Sequence, residues 1–556
     1  MLKSTLKNSI KTFKIDIVVV GGGAAGLRAA LEAKKHKCDV VLISKQAAGR
    51  SGCSLVSAAG FAIAIGREDS PKIHFKDTIA KGKFINNANL VRILVSEGPK
   101  EVLLLEKLGV KFSKVNNEFV LRKMPGHTHP RILYCYTRGL PYRTRGLSFT
   151  AQLRKSLFEA GVKIYERVLA LRLLTSDNNI SGILCFDMNA KRFLVFRAKA
   201  VILATGGAGR IYSLTTNPGG ITGDGIAMAY EAGAELIDME MVQFIPTLCI
   251  TPSLRGIHIP TGLFAYGARL LNRLNEPFMF RYDPVRGDKT TRDLQSRAIC
   301  IEVKSNRGVN GGVYMDLSNI SPQGIEAYKD VFDMIFKRNV DLSKIVVSPA
   351  AHFFMGGIKI NKKCETNING LFAVGEVTGG MHGANRLGGN ALTETQVFGA
   401  RAGYFAAKKA IFSNFNELDH QQVQDTIEDI LGFFADKSET LKLSTIHNNL
   451  RQVMSSYVGV IREEKNLKIA QKELDCLSKE MLNVKIRDLP NIVNIIETKN
   501  MLTVAKIITK SALLRKESRG AHFREDFPEQ DDKHWLCNIV IKLNSYKILR
   551  RNSRIW

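Results

Sequence analysis

The sequence predicts an α/β fold: a parallel sheet assembled from separated stretches of chain, interrupted by an inserted α+β lid domain and followed by a helical domain. Three observations carry that prediction. The chain opens on strand, glycine turn, helix and strand. Two further apolar strands, near residues 197–204 and 370–376, each end in glycine-rich text. From about 415 to 515, apolar residues recur at helical spacing, and Gly432 and Gly459 are the only glycines.

The first strand is Asp16–Val20, followed by Gly21-Gly22-Gly23-Ala24-Ala25-Gly26, a helix over Leu27–His36 and a strand over Cys38–Ser44. This places GxGxxG between a strand and a helix of one βαβ unit, the Rossmann-like context in which the motif is specific. Gly21 permits the tight turn. Gly23 lets the backbone N–H groups of the first helical turn, Ala24 and Ala25, approach a pyrophosphate. Gly26 allows close packing of helix on strand. The second strand ends in Ser44-Lys45 where an NAD site places Asp or Glu, which argues against simple NAD binding.

The strand Arg197–Ala204 runs into Thr205-Gly206-Gly207-Ala208-Gly209-Arg210, similar to the second dinucleotide motif of FAD-binding proteins. Thr222-Gly223-Asp224-Gly225 opens a helix over Ile226–Gly233; Asp224 there either accepts from a ribityl hydroxyl or serves as an ordinary N-cap. The strand over Gly370–Glu376 leads to a helix over Asn390–Lys409. The dinucleotide-binding domain is therefore expected in two parts, 14–237 and 346–414, around a lid at 238–345, with a helical domain at 415–515 and a basic, aromatic C-terminal segment at 516–556.

Composition narrows the function. The 556 residues are 45 % hydrophobic and 24 % charged, ordinary globular values. No apolar run approaches the roughly 20 residues of a membrane span. The formal net charge is +28, but the basic residues are scattered, and no nucleic-acid-binding signature accompanies them. Nucleic acid is not an expected partner; a lysine-rich composition and docking onto a membrane-bound or acidic partner are the remaining readings. The nine cysteines form no CxxC pair, so no disulfide framework, zinc site or iron–sulfur site is expected, and no metal ligands are assigned. Their free state fits a reducing compartment. The first fourteen residues carry four lysines and no acid, and read as a disordered lead-in rather than a targeting peptide.

Six motifs in order then give a specific resemblance. They are SKxxxxRS at 44–51, ATGGAGR at 204–210, TGDG at 222–225, AHFFMGGI at 351–358, VGEVTGGMHGANRLGGNAL at 374–392 and KESRGAHFREDFPEQDD at 516–532. Together they resemble the succinate dehydrogenase/fumarate reductase flavoprotein family, whose superfamily includes L-aspartate oxidase. The resemblance covers about residues 14–537. It implies a Rossmann-like FAD-binding domain with an inserted capping domain, a helical domain, bound FAD, and hydride exchange with a four-carbon dicarboxylate.

Residue by residue, the resemblance implies that His352 and Arg386 bind a substrate carboxylate and that Arg292, in RGDKTTRDLQSR, gives or takes the proton. Glu376 matches the FAD-ribityl ligand. Asn390, Ala391 and Leu392 match the segment that sets a helix N-terminus against the isoalloxazine. Ser44, Lys45, Ser51, Gly52, Thr205, Gly206 and Asp224 complete the expected cofactor contacts. A guanidinium suits a carboxylate fork. Arginine is a poor acid at its reference pKa, so proton transfer by Arg292 requires an unusual environment.

Three positions depart from the family pattern. Gly52 stands where the family carries its covalent-flavin histidine, which implies non-covalent FAD, a state associated with fumarate reduction rather than succinate oxidation. Cys53 beside it reads as a small apolar residue, not a thioether ligand. Ile245 replaces the second carboxylate-anchoring histidine. The Thr-Glu whose carboxylate relays protons to the arginine is not recognisable; the text there is Ile257-His258-Ile259-Pro260-Thr261-Gly262. His258 and Thr261 are candidate replacements for the missing anchor.

The lead expectation is a fumarate reductase or succinate dehydrogenase flavoprotein subunit, served by a separate iron–sulfur subunit. It would be cytoplasmic, or held at the cytoplasmic face of the membrane through partners. The alternatives are an L-aspartate oxidase-like enzyme, a related flavoenzyme acting on another carboxylic acid, and a binding or assembly protein that keeps FAD without turnover.

Overall fold

The computed structural model describes residues 10–434, 442–486 and 489–550. Its central sheet has β1 (Ile10–Val20) at the middle, parallel to β2 (Val40–Ser44) on one side and β3 (Arg192–Leu203) on the other, with α1 (Ala24–Lys35) crossing between β1 and β2. Across the sheet the order is 163–166, β2, β1, β3, 179–187, 168–176, and Leu371–Ala373 runs parallel to the end of β3. Helices cover the sheet, so Ile17–Val20 and Val40–Ile43 are buried and read as continuous apolar runs.

One expectation is corrected here. Ile10–Lys14 is not a disordered lead-in: these residues extend β1 and pair with Phe193–Arg197. The cause is tertiary. Phe13 stacks on Phe196 with ring centroids 5.1 Å apart, a cross-strand aromatic pair that fixes the extension. Residues 1–9 lie outside the described residues.

After β3 comes α2 (Asp224–Glu231). The chain then enters a four-stranded antiparallel sheet of order 242–249, 345–354, 313–316, 269–271, packed with α3 (Arg292–Lys304). This sheet and its helices hold a core of their own, with Leu254, Phe264, Phe278, Ile299 and Phe332 at its centre. The strands Val242–Cys249 and Ile345–Phe354 are the two crossings to this region, and the second delivers His352.

The chain returns through α4 (Asn390–Ile411), which packs against α1. Helices at 420–432, 443–457 and 464–481 and the long α5 (Pro490–Leu514) follow. Their buried faces join the main core. Among the described residues, no helix is long and apolar enough to cross a membrane.

The segment after α5 is held by charge. Arg515 Nε donates to Glu240 Oε1 at 2.7 Å, and Arg519 forks onto Glu517. Both arginines are fully buried. Pairs of this kind cost desolvation to form, but deleting one partner leaves an uncompensated charge worth about 3–5 kcal/mol. Beyond them the hairpin 537–542/545–550 adds two strands to a small sheet with 236–237, 357–359 and 378–379.

Candidate active site

One continuous cavity of about 1120 Å³ runs from the glycine turn after β1 to the inserted region. Every site residue singled out in the sequence lines it except Gly26 and Asn390. Gly26 sits behind the turn: a Cβ there would lie 1.9 Å from Gly21 O, so only glycine permits this contact of helix and strand. Asn390 turns its side chain away, toward His74 Nε2 at 2.8 Å and Thr78 Oγ1 at 3.1 Å. Its place is positional: it is the first residue of α4, whose N-terminus faces the cavity through Ala391 and Leu392.

At the dinucleotide end, Gly21 and Gly23 bracket the N-terminus of α1, where the Ala24 N–H donates to Ser54 Oγ at 3.0 Å. Ser51 Oγ donates to Ala47 O at 2.6 Å. Lys45 Nζ reaches Asp224 Oδ2 and Glu497 Oε1, both at 2.6 Å, and Thr222 Oγ1 at 2.9 Å. Burial alone would lower the Lys45 pKa; the two carboxylates overcome it and hold the ammonium above its ordinary value. Asp224 is likewise raised by burial but carried below the usual carboxylate range by Lys45, with Asn500 and Thr222 also donating to it. Gly223, not Asp224, is the N-cap of α2, and the Asp224 carboxylate faces Lys45.

The donor set and the cavity's volume suit a dinucleotide. A Cβ added at Gly52 would meet nothing nearer than Ile221 Cδ1 at 4.0 Å, and one at Gly206 nothing nearer than the same atom at 3.8 Å. Both glycines open onto the cavity rather than onto packed protein. Thr205 Oγ1 is buried without a hydrogen-bond partner among the described residues, as a ligand-directed hydroxyl would be.

Further along, Glu376 Oε1 accepts the Phe354 N–H at 3.1 Å, and burial pushes this carboxyl up to about 7. Cys53 lies close by; burial, then the Glu376 charge, raises its thiol well above the ordinary value, which makes it unreactive.

The far end gathers cations. Arg386 Nη2 donates to Gln243 Oε1 at 3.0 Å, and its guanidinium lies 4.4 Å from the centre of the Phe353 ring. Its Nε is buried without a partner among the described residues. Burial and the nearby Arg292 charge bring its pKa down to about 10. Arg292, the first residue of α3, donates Nε to Thr261 Oγ1 at 3.2 Å and is lowered by burial. His352 Nδ1 lies 2.8 Å from Thr216 Oγ1, and burial followed by Arg386 holds the ring neutral, well below its usual pKa.

His258 joins this group. Its ring centre is 6.2 Å from that of His352, its Nε2 is buried without a partner among the described residues, and burial with Arg292 takes it to about 3. Ile245 lines the same wall as part of a small apolar cluster with Leu248 and Ala350. Two guanidiniums thus converge with neutral imidazoles, without a paired carboxylate among the described residues, an arrangement that favours an anionic ligand.

Several supporting residues were not singled out in the sequence. Gln243 had a local signal, since it stands two residues before Ile245 in the stretch Gln243-Phe244-Ile245-Pro246-Thr247. Thr216, Glu497, Asn500 and Tyr328 had none: only the fold brings Thr216 and Tyr328 to the cavity and sets Glu497 and Asn500 against Lys45 and Asp224.

This fold and cavity define an FAD-dependent oxidoreductase. The model of the FAD binding domain family matches residues 16–392, and that of the fumarate reductase flavoprotein C-terminal family matches residues 447–552. An FAD-dependent oxidoreductase of Methanocaldococcus jannaschii is 45% identical over 534 residues, covering 95% of this chain and 96% of the relative. A fumarate reductase (CoM/CoB) chain of Methanothermobacter marburgensis is 38% identical over 548 residues, covering 95% of this chain and 97% of the relative. Among solved structures, an E. coli quinol fumarate reductase superposes with a TM-score of 0.90 at 29% identity, covering 97% of each chain. The chain belongs to the fumarate reductase/succinate dehydrogenase flavoprotein family.

Proposed function

We propose that this chain is the flavoprotein subunit of a fumarate reductase that binds FAD non-covalently and draws electrons from an iron–sulfur partner. One observation carries the reading: Arg292, Arg386 and His352 converge, without a paired carboxylate among the described residues, at the end of the cavity that begins at Gly21. FAD, when bound, supplies the hydride for one alkene carbon.

The chain supplies the rest. Arg386, with a free Nε beside an Nη2 fixed by Gln243, forks onto one carboxylate and stabilises the negative charge that develops there. With Thr216 donating to Nδ1, the neutral His352 carries its proton on Nε2 and donates to the same group. His258 offers an imidazole for the second carboxylate, which Ile245 cannot hold. Arg292 gives the proton to the other alkene carbon, and burial brings it closer to the acidity that role requires. Residues 238–345 act as the capping domain and exclude water on closing.

Non-covalent FAD follows from Gly52, which offers no nucleophile, and from the protonated Cys53 thiol. The iron–sulfur partner is supported by the likeness to the fumarate reductase chains. Attachment to the cytoplasmic face of a membrane would come through such partners.

The test is anaerobic. The bound flavin is reduced with dithionite, fumarate is added, and reoxidation is followed at the visible flavin band. Rapid reoxidation with succinate formed is the expected result. Reoxidation only by oxygen, with peroxide released when L-aspartate is the reductant, would move the chain to the oxidase branch.

A further inference from the structure

In the family this chain belongs to, a glutamate after the pocket threonine relays protons to the arginine. Here the residue after Thr261 is Gly262. The space that a side chain at 262 would enter is already filled. A Cβ built on Gly262 would lie 2.0 Å from Tyr328 Oη and 3.1 Å from Tyr328 Cζ. The phenol hydroxyl therefore stands beside residue 262, next to the threonine that accepts from Arg292 Nε at 3.2 Å. Tyr328, Thr261 and Arg292 line the same cavity.

We infer that the Tyr328 hydroxyl replaces the missing glutamate as the group that returns a proton to Arg292 after each turnover. Tyr328 acts through Arg292 and does not itself touch the reacting carbon, so it is a positioning and relay residue. The inference rests on the fumarate reading above.

The local structure supports it. Tyr328 sits at the junction of the helices Pro322–Ala327 and Lys329–Phe336, half-buried, with its ring 6.1 Å from Tyr266 in an edge-on contact. This holds the phenol while one side faces the cavity. Arg292 has no ion-paired carboxylate among the described residues; the groups that favour its cationic form are the phenols of Tyr134 and Tyr328. Tyr134 already gives its hydroxyl to Met124 Sδ at 3.7 Å, which leaves Tyr328 as the candidate donor. Burial raises the Tyr328 pKa and lowers that of Arg292.

The step balances without a redox partner. An N–H bond of Arg292 breaks as the C–H bond of the product forms, and the electron pair stays on nitrogen. A water between the two groups then gives a proton to Arg292 as the N–H bond re-forms, and the Tyr328 O–H bond breaks as it restores that water's O–H bond. The phenolate takes its proton from water at the cavity mouth.

The test uses the full FAD-loaded chain, with reduced-flavin reoxidation by fumarate as the readout. Tyr328→Phe is expected to lower the rate about 100-fold, within the usual range for a lost acid–base group, and to raise the solvent deuterium isotope effect. Malonate binding, read from the perturbed flavin spectrum, stays unchanged. The Cβ of Gly262→Ala, which displaces the phenol, gives the same loss. The double variant Gly262→Glu/Tyr328→Ala is expected to recover at least 10-fold over Tyr328→Ala, because removing the ring opens the space beside residue 262 to a carboxyl. A Tyr328→Phe rate within about 2-fold of the parent, or a loss confined to malonate affinity, overturns the relay while leaving the fumarate reading intact. A parent chain inactive on fumarate overturns both.

Discussion

The two ends of the cavity are built on opposite electrostatic plans. At the dinucleotide end, the Lys45 ammonium is enclosed by Asp224 and Glu497, and further donors from Thr222 and Asn500 complete the set. At the substrate end, Arg292 and Arg386 face each other's charge, and their hydrogen bonds go to Thr261 and Gln243, both neutral. At the first end the cation is paired within the protein. The second is left unbalanced, and its missing charge is the dianion that the site would take up. Charge imbalance in a buried pocket is therefore the informative feature, more than the number of charged residues lining it.

Three substitutions probe that contrast, taken from the largest effect to the smallest. Arg292→Ala removes both a pocket charge and the proton carrier. Turnover with fumarate should fall by about 10³-fold or more, at the upper part of the range for acid–base groups, while the visible flavin spectrum shows FAD still bound. An unchanged rate would remove the proton-transfer role and would mean that the imbalance serves binding alone.

Lys45→Met tests the paired end. It leaves two carboxylates, those of Asp224 and Glu497, without their cation in a largely buried place. Urea unfolding should show a loss of about 3 kcal/mol, the cost typical of breaking a buried pair from one side. A loss near zero would show that the triad is solvated, and the contrast between the two ends would collapse.

How far these features were legible in the sequence follows the range of the interactions that make them. The turn at Gly21–Gly26 is local, and its strand–turn–helix grammar was readable directly. The extension of β1 over Ile10–Lys14 was not, because its support comes from Phe196, far away in sequence. The same holds at the site. Lys45 and Asp224 stood in quotable motifs, but Glu497 reaches Lys45 from α5. Ile245 was visible as a departure. That His258 comes to lie near His352, and that Tyr328 fills the space beside Gly262, depends on how the inserted sheet folds back.

The smallest effect is the sharpest test of the comparison. Arg386→Met removes a guanidinium whose pKa is already depressed by burial and by Arg292. Its partner Gln243 loses one hydrogen bond, worth about 1 kcal/mol net. Against that stands relief of the repulsion from Arg292 and of the cost of burying an unpaired charge, and a methionine fills much of the same volume over Phe353. Without a dicarboxylate, the variant should therefore unfold within about 1 kcal/mol of the parent. With malonate at about 100 times its Kd for the parent, the parent should gain about 2.7 kcal/mol and the variant far less. If Arg386→Met instead cost as much as Lys45→Met in the absence of ligand, Arg386 would be a structural cation like Lys45. The substrate end would then owe its charge to folding rather than to a ligand.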